Sequence, residues 1–290
     1  MTSASAYADV AVHDTFPKVL AHNARLCPDA VAMREKEFGI WNAFTWAEYQ
    51  RRVRLMALGM QRLGLSRGQC VALIGDNRPE WIWGEIAAHA LGCTTLGVYQ
   101  DSMGEEVSYL LNYAEARLVL AEDEEQVDKL LELIEQTPCV LKIVYCDPRG
   151  MRKYGDPRVV GLDALYALGE EAERDHPGLY EREVAAGSGS DIAVLCTTSG
   201  TTAKPKLAML QAGAFLGHCL AYLRRDPRRA GDDYVSVLPL PWIMEQVYAV
   251  AQALIARVIV NFVEEQETMM ADLREIGPSF LLLGPRAWEG

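Results

Sequence analysis

Thr197-Thr198-Ser199-Gly200-Thr201-Thr202-Ala203-Lys204-Pro205-Lys206 is the stretch on which the reading of this chain turns. It follows the compact apolar run Ile192-Ala193-Val194-Leu195-Cys196, which predicts a buried strand, and apolar spacing resumes at Leu207. Ten residues with five hydroxyls, one glycine and two lysines make a poor core segment. They suit a loop that wraps a polyphosphate. Hydroxyls and backbone N–H groups donate to phosphate oxygens, Gly200 permits close backbone approach, and Lys206 adds a point charge. A polar surface turn between two strands accounts for the same composition. The two common phosphate motifs do not fit. The Walker spacing requires glycine where Pro205 stands, and Gly187-Ser188-Gly189 leads to Ile192 where the dinucleotide fingerprint needs a third glycine.

Moving outward, short apolar runs alternate with amphipathic stretches. Val71-Ala72-Leu73-Ile74, Cys93–Val98, Leu118–Ala121, Val140–Tyr145, Tyr234–Leu238, Val258–Phe262 and Phe280–Leu283 read as strands. Helical periodicity covers 15–26, 45–63, 79–92, 102–114, 122–136, 163–174, 212–223, 243–255 and 268–276. Thr45 with Glu48, and Ser102 with Glu105, have capping-box spacing. The alternation predicts an α/β fold of layered, mostly parallel sheets covered by helices. The Gly- and Ser-rich end of the loop 176–190 is the best seam. It suggests a tail over 1–14, a first α/β subdomain over 15–186 and a second over 187–290 that opens with the hydroxyl loop.

Composition excludes several classes. The formal charge of −12 over 290 residues is wrong for a nucleic-acid surface, which needs clustered Lys and Arg. Seven scattered cysteines without a CxxC pair fit small core residues in a reducing, cytoplasmic setting. The five histidines form no HxxxH or HExxH pattern, so no metal site is expected. The start lacks the profile of a secretory signal, and Val247–Val260, interrupted by Arg257, is too short to span a membrane.

A second constellation, Leu238-Pro239-Leu240-Pro241-Trp242-Ile243-Met244-Glu245-Gln246, ends a strand and opens a helix. In a parallel α/β sheet such turns face the ligand crevice. Trp242 is a flat apolar surface that can wall a pocket, with the Glu245 carboxylate one helical turn away. A core anchor and a helix N-terminal charge explain the same pair.

Ser199-Gly200-Thr201-Thr202, followed by Pro205-Lys206, resembles the phosphate-binding signature of the AMP-forming acyl-CoA synthetases and their adenylating relatives. Ala203 and Leu207 stand where the family usually has glycine. Asp76-Asn77-Arg78-Pro79-Glu80-Trp81 is similar to the family's helix-opening "NRPEW" turn, read here as a structural helix start. The segment around Trp242 is similar to the acyl-pocket stretch of the long-chain enzymes, with Trp242 where many members carry His. The resemblance extends from about Thr15 to Gly290. It implies ATP-dependent activation of a long-chain fatty acid to acyl-adenylate and then acyl-CoA, with ATP, Mg²⁺ and coenzyme A. It implies Lys206 and Thr201 as catalytic residues. Thr198, Ser199, Gly200, Thr201, Thr202, Lys204 and Lys206 would contact the nucleotide, and Trp242 and Glu245 the acyl substrate. The family's chains are about twice this long, so the expectation is an N-terminal portion without the small C-terminal domain. Another carboxylic acid as substrate, or an inactive nucleotide- or acyl-binding fragment, are the alternatives. Small molecules are the expected partners, with peripheral membrane contact and oligomerisation left open.

Overall fold

The computed structural model describes residues 7–198 and 204–284. Its elements run α1 (Phe16–Leu26), β1 (Val31–Glu37), β2 (Ile40–Thr45), α2 (Trp46–Arg62), β3 (Cys70–Ile74), α3 (Pro79–Ala90), β4 (Thr94–Val98) and α4 (Gly104–Tyr113). Then come β5 (Ala116–Ala121), α5 (Glu124–Glu132), β6 (Lys142–Tyr145), β7 (Val159–Gly161), α6 (Leu162–Asp175) and α7 (Leu179–Ala186). The last group is β8 (Ile192–Thr198), β9 (Lys206–Gln211), α8 (Ala212–Arg225), β10 (Asp233–Ser236), α9 (Ile243–Glu245), α10 (Ala253–Ala256), β11 (Ile259–Phe262) and α11 (Met269–Ile276).

The fold is α/β with mostly parallel sheets, as the alternation of runs predicts. The chain forms two compact units: residues 51–76 with 80–212, and residues 1–50 with 77–79 and 213–290. The boundary expected near residue 187 therefore falls inside one unit. The physical reason is sheet pairing: β8 hydrogen-bonds to β4 in parallel and becomes part of the larger sheet.

The unit built on 51–76 and 80–212 carries a seven-stranded sheet in the order β7-β6-β5-β3-β4-β8-β9. Every pair is parallel except β8 with β9. All five residues of β3 are buried, as expected of a central strand covered on both faces. Helices α2 and α6 cross at two glycines. A Cβ on Gly59 would lie 2.3 Å from the Leu165 carbonyl oxygen, and one on Gly169 would lie 2.1 Å from that of Leu55. Only hydrogen fits at either crossing point.

The other unit carries a four-stranded sheet in the order β10-β11-β1-β2, with only the β1–β2 pair antiparallel. Its long helix is not uniform: Gln246–Gln252, between α9 and α10, is wound as a π-helix, a rare form enriched at functional sites.

Several local expectations are revised. The loop over 176–190 contains α7, opened by Gly178 in a left-handed conformation and held by buried Tyr180 and Val184. The pairing of Ser102 with Glu105 makes no cap; Met103 occupies that position without a side-chain bond. Residues 280–283 form no strand, only an isolated bridge from Phe280 to Tyr234, because too few backbone groups pair. The Thr45–Glu48 box does form: Thr45 Oγ1 accepts from Glu48 N at 3.2 Å, and the Glu48 carboxylate accepts from Thr45 N at 2.8 Å. None of the seven cysteines is in a disulfide. No helix among the described residues is long and apolar enough to cross a membrane.

Candidate functional site

The hydroxyl-rich stretch joins β8 to β9, the one antiparallel pair of the seven-stranded sheet. It is thus a hairpin connection and not a crossover between parallel strands. The ladder runs to its last pair, Thr198 opposite Lys206. Antiparallel pairing holds such partners about 5 Å apart at Cα, so both ends of the loop are fixed close together. Both residues are exposed. Thr198 Oγ1 donates to the Lys206 carbonyl at 3.3 Å. A phosphate contact through the same proton would have to replace that long bond. Ser199, Gly200, Thr201 and Thr202 lie outside the described residues.

The downstream end of the loop is gripped from α4, in the same unit. The Tyr109 hydroxyl donates to the Pro205 carbonyl at 3.1 Å. The Lys204 ammonium lies 4.8 Å from the centre of the Tyr109 ring, a cation–π contact. Tyr109 stacks in turn on Tyr113, with ring centres 5.5 Å apart. These side chains border a surface cleft of about 470 Å³ that also meets Glu105 and Asn112. Lys204 is thus held against the Tyr109 ring of α4. Lys206 opens β9 with its side chain exposed. A hydroxyl and a lysine at the two loop ends are chemically suited to triphosphate oxygens. Among the described residues no three His, Cys, Asp or Glu side chains are grouped to hold a metal ion.

The second constellation belongs to the other unit. Leaving β10, the chain turns at Pro239–Trp242, where Trp242 N donates to the Pro239 carbonyl at 2.9 Å, and enters α9. Trp242 is 39% exposed, a large apolar face in contact with solvent. Glu245 is fully buried. Its two carboxylate oxygens accept from Tyr234 Oη at 2.6 Å and from Ser236 Oγ at 2.5 Å. Burial pushes its pKa from the usual 4.5 up to about 7, against the pull of the two hydroxyls toward the ionised form. The same burial, with the Glu245 charge beside it, raises the Tyr234 phenol. Tyr234 is itself packed between rings, 5.2 Å from Phe280 and 5.9 Å from Tyr248 at their centres.

Asn77 completes this arrangement and was not legible as a site residue. Its Nδ2 donates to Ser236 Oγ at 2.8 Å and to the Leu238 carbonyl at 2.6 Å, while its Oδ1 accepts from Leu240 N at 3.0 Å. The only sequence signal was the segment's likeness to a family turn. Tyr109 and Ser236 carried no such signal, because each acts through a partner distant in the chain.

The chain belongs to the AMP-binding enzyme family, whose model matches residues 20–290. It is acyl-CoA synthetase-like and corresponds to an N-terminal portion of such enzymes. It is 26% identical over 282 residues to the long-chain-fatty-acid–CoA ligase FadD15 of Mycobacterium bovis, covering 97% of this chain and 45% of that protein. To the long-chain-fatty-acid–CoA ligase ACSBG1 of Bos taurus it is 28% identical over 274 residues, covering 90% and 36%. The chain therefore spans less than half the length of these relatives. Among solved structures, the A-PCP didomain of carboxylic acid reductase from Segniliparus rugosus, in complex with AMP, superposes with a TM-score of 0.77 at 17% identity. That match covers 98% of this chain and 45% of the other.

Proposed function

We propose that this chain forms part of an enzyme that activates a long-chain fatty acid with ATP. The fatty-acid carboxylate attacks the α-phosphorus, the bond from that phosphorus to the bridging oxygen breaks, and pyrophosphate leaves. Coenzyme A thiolate then attacks the acyl carbonyl and AMP departs. The observation that carries this reading is the hairpin that closes the hydroxyl loop between Thr198 and Lys206. In this reading Thr198, Ser199, Gly200, Thr201 and Thr202 donate to the β- and γ-phosphates, and Mg²⁺ arriving with the nucleotide would supply further neutralisation of phosphate charge. Lys206 and Thr201 offset the charge that builds on the leaving pyrophosphate, a task for pre-positioned donors. Lys204 lends positive charge from the loop's downstream end. Trp242 walls the acyl pocket, and Glu245 serves that wall from behind.

The choice of a fatty acid is supported by the names of the two ligases to which the chain is similar. A second reading, activation of a different carboxylic acid, is favoured by the fold shared with a carboxylic acid reductase.

The test is fatty-acid-dependent ATP–pyrophosphate exchange, run beside a panel of aryl and amino acids. Fatty acids are expected to support the fastest exchange. Lys206→Ala is expected to lower kcat/KM for ATP on the order of 10²-fold, the usual loss for one transition-state donor. Exchange that is unchanged in this variant would overturn the role of Lys206. Preference for an aryl or amino acid would overturn the substrate class.

A further inference from the structure

Asn77 lies in the short segment 77–79, which packs with residues 1–50 and 213–290 as one unit. Its side-chain amide meets three groups in a row along the chain that leaves β10. The donor nitrogen has two hydrogens and two acceptors, Ser236 Oγ and the Leu238 carbonyl. The acceptor oxygen has one donor, Leu240 N. Exchanging the amide's oxygen and nitrogen would set a donor against Leu240 N–H and an acceptor against the Leu238 carbonyl, so only one orientation is consistent. Ser236 has a single hydroxyl proton. It accepts from Asn77 and passes that proton to the Glu245 carboxylate at 2.5 Å. Gln246, next in the chain, closes the turn from the other side by donating to the Leu240 carbonyl at 3.0 Å. Pro239 and Pro241 leave the turn few backbone donors of its own. Side chains supply the missing bonds at Leu238 and Leu240, on either side of Pro239.

We propose that Asn77 is a positioning residue for the acyl substrate: its amide sets the path of Leu238–Leu240 and, through Ser236 and Glu245, the angle at which Trp242 is presented. The inference rests on the reading of Trp242 as a pocket wall. Asn77 does not touch substrate in this account. Neither does Glu245, whose two oxygens are both engaged inside the unit.

The decisive variant is Asn77→Asp. It has the same shape and keeps the acceptor for Leu240 N, but sets an oxygen against the Leu238 carbonyl. The measurement is the KM for fatty acid and the KM for ATP in pyrophosphate exchange, with Trp242→Ala measured alongside. Asn77→Asp is expected to raise the KM for fatty acid about tenfold, the loss of roughly one well-made hydrogen bond in the positioned state. The KM for ATP is expected to stay within about twofold. Asn77→Ser, which retains one hydroxyl donor, should fall between wild type and Asn77→Asp, and it carries the test if the aspartate variant does not fold. A fatty-acid KM that rises in Trp242→Ala but not in the Asn77 variants would overturn this inference and leave the wall intact. A rise of both KM values together in the Asn77 variants would also overturn it, since that marks general damage. If Trp242→Ala leaves the fatty-acid KM unchanged, the wall fails and this inference fails with it.

Discussion

Replacing Glu245 by Gln should change how stability depends on pH. The wild-type carboxyl is buried, with a pKa of about 7 against the usual 4.5. The folded state thus holds a proton that the unfolded chain has released across this window. Its contribution is fully present below pH 4.5 and is lost as pH rises through about 7. At about 1.4 kcal/mol for each pH unit between the two values, the loss reaches about 3 kcal/mol by pH 8. The amide of Glu245→Gln cannot ionise. It can accept from only one of Tyr234 and Ser236, a fixed penalty of about 1–3 kcal/mol at every pH. The wild-type-minus-variant difference should therefore fall by about 2–3 kcal/mol between pH 5 and pH 8, leaving the variant less stable than wild type at pH 5 and equal to it or more stable at pH 8. Urea unfolding followed by fluorescence and far-UV circular dichroism at both pH values measures this. A wild-type-minus-variant difference that stays constant from pH 5 to pH 8 would refute the buried, upshifted carboxyl.

Other outcomes follow from the packing. Gly169→Ala puts a methyl 2.1 Å from the Leu55 carbonyl oxygen and should cost at least about 1–3 kcal/mol, seen as a lower Tm. Gly217→Ala, in α8 with nothing within 4 Å of the new carbon, should instead stabilise by about 0.5–1 kcal/mol. Thr45→Ala removes the hydroxyl half of a formed capping box and should lower stability by about 1 kcal/mol in chemical denaturation.

The layered α/β fold was legible because its strands are short apolar runs. Val71–Ile74 is buried throughout, and no amphipathic alternative competes with such a run. The Thr45 cap was legible because both partners lie within four residues. What escaped was long-range. Asn77 bonds to groups 159 to 163 residues away, and no local pattern announces such a partner. Glu245 beside Trp242 read as a charge favoured at a helix start. Its burial depends on Tyr234 and Ser236 folding back over it, which spacing alone does not encode. The hairpin nature of the loop was hidden because β9, Lys206–Gln211, is only half buried and lacks the solid apolar run of its neighbours. Helix α7 was hidden by Pro177-Gly178 before it and Gly187 after it, residues that read as loop. At the candidate site, Lys206 and Trp242 stood out by residue type, whereas Asn77 and Tyr109 emerged only from contacts.

The order in which the chain visits its two units has a consequence for recombination. Residues 1–50, 77–79 and 213–290 form one unit and the intervening segments form the other. A single crossover between related genes cannot exchange the first unit whole, because its sequence is scattered over three blocks. Transplanting residues 51–212 into a homologous frame would bring the foreign Asn77–Pro79 with them, set among host residues equivalent to Ser236, Leu238 and Leu240. Chimaeras of this protein with its relatives should therefore be designed with four junctions, so that those three residues travel with the unit they pack into.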